Sequence, residues 1–156
     1  MLASWLSEDT GYRLVPEIAR PYLEMRGIVP SYDDVWEIGL LQHREEKYAE
    51  SHFENVVCDT DLLTIIVWLE DKFGKVDPLF YERWHASNAD MYFLGVPDVP
   101  WVPDPLRENP FDRDRLYEIY AVKLEEAGKP FIPIYGDWEN RKKIIRRYFK
   151  ETGFVK

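Results

Sequence analysis

The sequence predicts an α/β domain built on a parallel sheet with helices on both faces, and three observations lead there. Short apolar or β-branched runs recur at Tyr12–Val15, Asn55–Asp59, Asp90–Leu94 and Phe131–Tyr135. Between them lie stretches with helical spacing of apolar residues, most of them opened by an acidic or hydroxyl residue and closed by glycine. Strands that alternate with helices pair in parallel, because each connection crosses a face of the sheet. At 156 residues the chain suits one domain with a sizeable core. It contains no repeat, low-complexity tract or linker, so residues 1–156 are expected to form a single domain.

In order, Met1 to Ser7 places Leu2, Trp5 and Leu6 at helical spacing without a starting cap, as the last turns of a helix would. Gly11 ends it and the first strand follows. Pro16-Glu17 opens a helix to Arg26, stopped by Gly27 and Pro30. Ser31 is placed to cap a long helix reaching about His52, with Asp33 and Asp34 in its first turn, where the helix dipole favours acids. The second strand leads into a helix from Asp61 to Lys72 that stops at Gly74. Asp77-Pro78 starts a short helix to about Ala86, and the third strand follows. Residues 96–110 form a loop with four prolines between Pro97 and Pro105; loops of such length are usually functional. Asp112 caps a helix to Ala127, the fourth strand follows Gly128, and Asp137 opens the last helix, which ends at Gly153.

Composition narrows the function classes. A hydrophobic content of 46% with 15% aromatic residues describes a packed globule. The net charge of −9 argues against a general nucleic-acid or acidic-membrane surface. The late basic cluster Arg141-Lys142-Lys143 and Arg146-Arg147 reads as a solvated helix face. The single cysteine, Cys58, sits inside an apolar strand and reads as a buried structural thiol. No apolar run reaches the roughly 18 residues of a membrane span, and no secretory leader is visible, so a cytoplasmic setting is expected. His43, His52 and His85 show no metal-ligand spacing, with one another or with Cys58.

The rest of the chain is organised around Val56-Val57-Cys58-Asp59-Thr60-Asp61, which runs straight into the apolar helix Leu62–Leu69. Ligands of open parallel sheets bind beyond the carboxyl ends of the strands. Two acids there, separated by one hydroxyl residue, suit a hydrated Mg²⁺ and a nucleophile to be oriented. The plainer alternative is that Asp59 or Asp61 caps the next helix.

Further stretches extend the pattern: Val15-Pro-Glu-Ile-Ala-Arg-Pro-Tyr-Leu-Glu24, Gln42 with Glu45 or Glu46, and Val57-Cys-Asp-Thr-Asp-Leu-Leu-Thr64. The proline-rich run from Val96 to Arg107 and Gly136-Asp-Trp-Glu-Asn-Arg141 complete the series. In this order the five resemble the P-loop ATPase/kinase domain of NadR-type proteins, over nearly the whole chain. The resemblance implies a P-loop NTPase or nucleoside-kinase-like fold, ATP and Mg²⁺ as cofactors, and γ-phosphoryl transfer to a small hydroxylated acceptor such as nicotinamide riboside. One departure is decisive: the family's first strand and its Gly-x-x-x-x-Gly-Lys-Ser/Thr loop, which cradles the phosphates, do not occur here. Met1 to Ser7 matches the end of the helix after that loop, and truncation, of the expressed piece or by choice of start site, is the favoured explanation. Four buried strand residues contribute about 6–12 kcal/mol, comparable with the roughly 5–15 kcal/mol stability of a whole domain. Without that strand the chain is expected to be unstable unless something else fills the gap, and without the loop that cradles the triphosphate it is expected to lack turnover.

The resemblance assigns roles. Asp59 is the Walker-B-like acid that holds Mg²⁺ through water; Asp61 shares that role or accepts the acceptor's hydroxyl proton. Glu17 is a general base or a ligand of the substrate hydroxyl, against a first-turn helix acid as the plain alternative. Arg20 contacts substrate or pairs with Glu17. Gln42 and Glu45 line the acceptor site or form a solvated stripe. The loop from about 96 to 115 is a lid whose Arg107, Arg113 and Arg115 reach the phosphates, unless they pair with Asp104, Glu108 or Asp112 at the surface. Asp104 lies on the substrate side of that lid. Trp101 stacks on the nicotinamide ring or anchors the lid to the core; Pro103 and Pro105 depart from the family's Asp and Gly. Gly136, Asp137 and Arg141 mark the adenine site. Trp5, Trp36 and Trp68 are expected in the core.

Two other classes remain open. One is a non-catalytic relative that binds ligand without nucleotide chemistry. The other is a structural protein that pairs its exposed sheet edges with a partner or with itself.

Overall fold

A computed structural model describes residues 1–27, 29–100 and 112–153. The chain divides into two compact units, Met1–Ser87 and Asn88–Lys156, and each is described by itself.

The first unit runs α1 (Leu2–Thr10), β1 (Arg13–Val15), α2 (Ala19–Arg26), α3 (Tyr32–His52), β2 (Val56–Cys58), α4 (Leu62–Phe73) and α5 (Pro78–His85). Gly11 and Gly74 end α1 and α4 in the left-handed conformation, as their sequence positions predict. α3 opens with a complete capping box: Ser31 Oγ accepts the Asp34 N–H, and Asp34 Oδ2 accepts the Ser31 N–H. The apolar helix α4 is buried on nearly every side, through Leu62, Leu63, Ile65, Ile66, Val67 and Leu69. It packs against α3 and α5, with Phe80 and Trp84 fully buried. Gly39 sets the spacing of these helices: a Cβ there would lie 2.8 Å from Ile65 Cγ2 and from the Phe80 ring. Trp5, Trp36 and Trp68 are half-buried rather than core. Trp36 keeps its indole N–H near the surface to donate to Asp77 Oδ2 at 3.0 Å, and Trp84 is the core tryptophan.

The second unit runs β3 (Tyr92–Gly95), α6 (Arg113–Glu126), β4 (Phe131–Ile134) and α7 (Trp138–Thr152). Ile145 and Phe149 turn inward from α7, and Ala121 and Leu124 from α6. Phe93 of β3 packs on Phe149 and edge-on against Tyr148. Asp112 stands at the start of α6, but its carboxylate makes no cap; it faces Arg115 Nη2 at 3.3 Å instead.

Among the described residues the strands form two parallel pairs, β1–β2 and β3–β4, and not one sheet. The registers are Leu14 with Val57 and Phe93 with Ile132. Cys58 is exposed and not buried, and among the described residues β2 pairs with β1 alone. No helix among the described residues is long and apolar enough to cross a membrane.

Candidate functional site

In the first unit the acids that stand out in the sequence gather at one end of the β1–β2 pair. The ladder closes where the Asp59 N–H donates to Val15 O at 3.0 Å. Glu17 and the Asp59-Thr60-Asp61 turn therefore leave the same carboxyl end, where parallel sheets take ligands. Asp59 is half-buried. Burial raises its pKa, and the Met1 amino group pulls in the opposite direction, so the start of α1 is within electrostatic reach of the end of β2.

Asp61 is a helix cap: its Oδ1 accepts the Leu63 N–H at 3.0 Å. Glu17 Oε2 lies 3.9 Å from Arg20 Nε, and Arg20 Nη1 lies 4.0 Å from Glu24 Oε1. Both contacts are loose and partly exposed, the kind worth at most about 1 kcal/mol.

Gln42 is 1% exposed. Its Oε1 accepts the Ile18 N–H and its Nε2 donates to Thr60 O, both at 3.1 Å. The amide thus joins the loop after β1 to the loop after β2, which fits a tie between them better than an open acceptor wall. One turn further along α3, Glu46 is 7% exposed with Oε1 buried and lacking a hydrogen-bond partner among the described residues. Burial, reinforced by the nearby Asp61 charge, pushes the Glu46 pKa up to about 8, while a hydrogen bond from Gln42 opposes the rise. Although Cys58 keeps an exposed face, the protein packed around its sulfur and then the charges of Glu46 and Asp61 push the thiol far up. Glu45, by contrast, faces Arg44 at 3.4 Å at the surface.

The carboxyl end of β3–β4 carries the other group. Gly136 has a φ of +79° and donates its N–H to Asp98 Oδ2 at 2.6 Å. Arg141 donates to Gly136 O, to Val96 O and to Asp98 Oδ1, and it depresses the Asp98 pKa after the Gly136 N–H and together with it. Asp137 Oδ1 caps α7 through the Asn140 N–H at 2.8 Å. Asp137 and Arg141 are thus held in place by the fold, while the rings of Tyr135 and Trp138 on either side are 54% and 45% exposed.

Arg113 Nη2 donates to Val99 O at 2.8 Å, and Arg115 faces Asp112, the surface pairing that was the plainer expectation for it. Trp101, Asp104 and Arg107, with most of the expected lid, lie outside the described residues. Two residues of these clusters received no role from the sequence, although Glu46 stood there as an alternative to Glu45. Glu46 carries a legible signal, falling in the buried stripe Val35, Ile38, Gly39, Gln42, Glu46, Ala49 of α3. Asp98 carries none, being one acid in a proline-rich loop.

Among the described residues no group of three or more His, Cys, Asp or Glu side chains is arranged to hold a metal ion. A hydrated Mg²⁺ needs only one or two carboxylates beside the phosphates of its nucleotide. Asp59, at a strand end and half-buried, fits that lesser demand.

No curated protein matches this chain. A family model described as an AAA domain matches residues 1–141, which covers both strand pairs and the residues at their carboxyl ends. The small parallel pairs with helices around them fit the P-loop NTPase-like fold, and nucleotide-dependent activity with ATP and Mg²⁺ is general at the level of the family. The chain belongs to the AAA domain family.

Proposed function

We propose that this chain is a NadR-like ATP-dependent phosphotransferase domain acting on a small hydroxylated acceptor, with nicotinamide riboside the first acceptor to try. The observation that carries the reading is the placement of Glu17 and Asp59 at one end of a parallel strand pair. Asp59 would hold Mg²⁺ through water beside the phosphates, and the ion would neutralise charge that develops during transfer. Glu17, at the same strand end, would take the acceptor's hydroxyl proton. Tyr135, exposed beside the ordered Gly136 turn, would offer a planar face to adenine, whereas the Lys142 ammonium lies over the Trp138 ring.

Hydrogen-bond alternation supports the place of the phosphate loop. In β1, Arg13 and Val15 face β2 through Asn55 O and the Asp59 N–H, so Pro16 falls on the outward side, where no donor is needed. In β4, Pro130 O and Ile134 O accept from Tyr92 and Val96, which turns Pro133 outward. Proline is tolerated at such closed edges. β2 has no proline, and the backbone groups of Val56 and Cys58 point to the side where no described strand pairs. A strand ending in a Gly-x-x-x-x-Gly-Lys-Ser/Thr loop would complete that edge and deliver the loop to the start of α1, beside Asp59.

The test is a protein with such a strand and loop joined ahead of Met1. Mg²⁺-dependent ATP turnover that rises with nicotinamide riboside supports the reading. Acceptor binding that ignores both ATP and Mg²⁺ supports the second reading, a non-catalytic relative; the use of Asp61 and Gln42 as cap and tie favours that one.

A further inference from the structure

We propose that Gln42 is a positioning residue: its side-chain amide serves as an extra rung of the β1–β2 ladder and sets the distance between the Glu17 loop and the Asp59–Asp61 turn. The backbone ladder ends at Val15 and Asp59, and the two chains diverge beyond it. At the next level Ile18 presents an N–H and Thr60 a C=O, and the Gln42 amide answers both at 3.1 Å. The match has only one orientation. Turned over, the amide would set oxygen against the Thr60 carbonyl and an NH₂ against the Ile18 N–H.

Glu46 lies four residues on, on the same buried face of α3. α3 itself is fixed by its capping box and by the close approach at Gly39. The brace therefore refers both strand-end loops to a rigid helix. Geometry at this level matters for chemistry, because small misplacements of reacting groups cost large factors in rate.

The brace stands on the hydrogen bonds alone; its consequence for catalysis rests on the phosphotransferase reading. Two measurements keep these apart. Amide hydrogen exchange is followed in the wild type, in Gln42→Met, which keeps the length and loses both partners, and in Gln42→Asn, whose amide is one carbon too short to span both loops. In Gln42→Met the Ile18 N–H is expected to exchange at least about tenfold faster, one lost hydrogen bond, with the Asp59 N–H still protected by Val15. Unchanged Ile18 protection in Gln42→Met overturns the brace, whatever the enzyme does; should Gln42→Met not fold, unchanged Ile18 protection in Gln42→Asn overturns it instead. In the protein carrying the added phosphate loop, Gln42→Met is expected to lower kcat with the KM for ATP unchanged. Loss of Ile18 protection with kcat intact overturns the positioning role.

Discussion

Replacing Glu46 by glutamine should change how stability depends on pH, and the structure gives both sign and size. The carboxyl ionises at 4.5 in an open chain and at about 8 in the fold, chiefly because burial disfavours its charge. Between those values the unfolded chain has released the proton and the folded chain keeps it. Stability therefore falls as pH rises through that window, and is flat on either side. A gap of about 3.5 pH units at about 1.4 kcal/mol each comes to roughly 5 kcal/mol over the window, and on the order of 3 kcal/mol by pH 7. Glu46→Gln keeps the shape and has no charge to lose. Urea unfolding of both proteins at pH 5, 6, 7 and 8 reads the effect, and taking the difference cancels every other titrating group. The variant should gain on the wild type at each step, by about 1.2–1.3 kcal/mol per pH unit up to pH 7 and about 1 kcal/mol from pH 7 to 8, where the folded carboxyl begins to ionise. A difference that stays constant from pH 5 to pH 8 would refute the reasoning, because Glu46 would then ionise at the same pH folded and unfolded.

Two further outcomes test the packing around the site. Gly39→Ala forces a methyl to within 2.8 Å of Ile65 and Phe80, an overpacking expected to cost about 1–3 kcal/mol and visible as a lower urea midpoint; an unchanged midpoint would show that α3 can move off α4 and α5. Ser31→Ala removes half of the capping box and should cost about 1 kcal/mol, read by thermal unfolding, with fraying confined to the first turn of α3.

Much of the fold was legible in the sequence, because local signals and tertiary packing agree. Gly11, Gly27, Gly74 and Gly153 end helices in the left-handed conformation, and Ser31, Asp61, Asp77 and Asp137 accept capping hydrogen bonds at the positions their spacing suggests. The division of the strands into two pairs was not legible. Alternation marks a strand but does not say which neighbours it finds. At the candidate site the sequence shows positions and not partners. Strand ends identify Glu17 and Asp59 as candidates, yet whether a polar residue is spent on the fold depends on partners distant in sequence. Gln42 meets Ile18 and Thr60, and Arg141 meets Asp98, across 24, 18 and 43 residues. Cys58 was misjudged for a related reason: an apolar strand is expected to be covered on both sides, and β2 is paired on one.

The central claim is that Asp59 serves a magnesium nucleotide at the end of β2. It is tested most directly by ATP turnover in the protein with a phosphate-loop strand joined ahead of Met1, measured against Asp59→Asn in the same background. An acid that holds the ion through water is an outer-shell group, and its loss should lower turnover by about 10–100-fold and raise the Mg²⁺ concentration required. Equal turnover and equal Mg²⁺ dependence in the two proteins would contradict the account and leave Asp59 with no part in the chemistry.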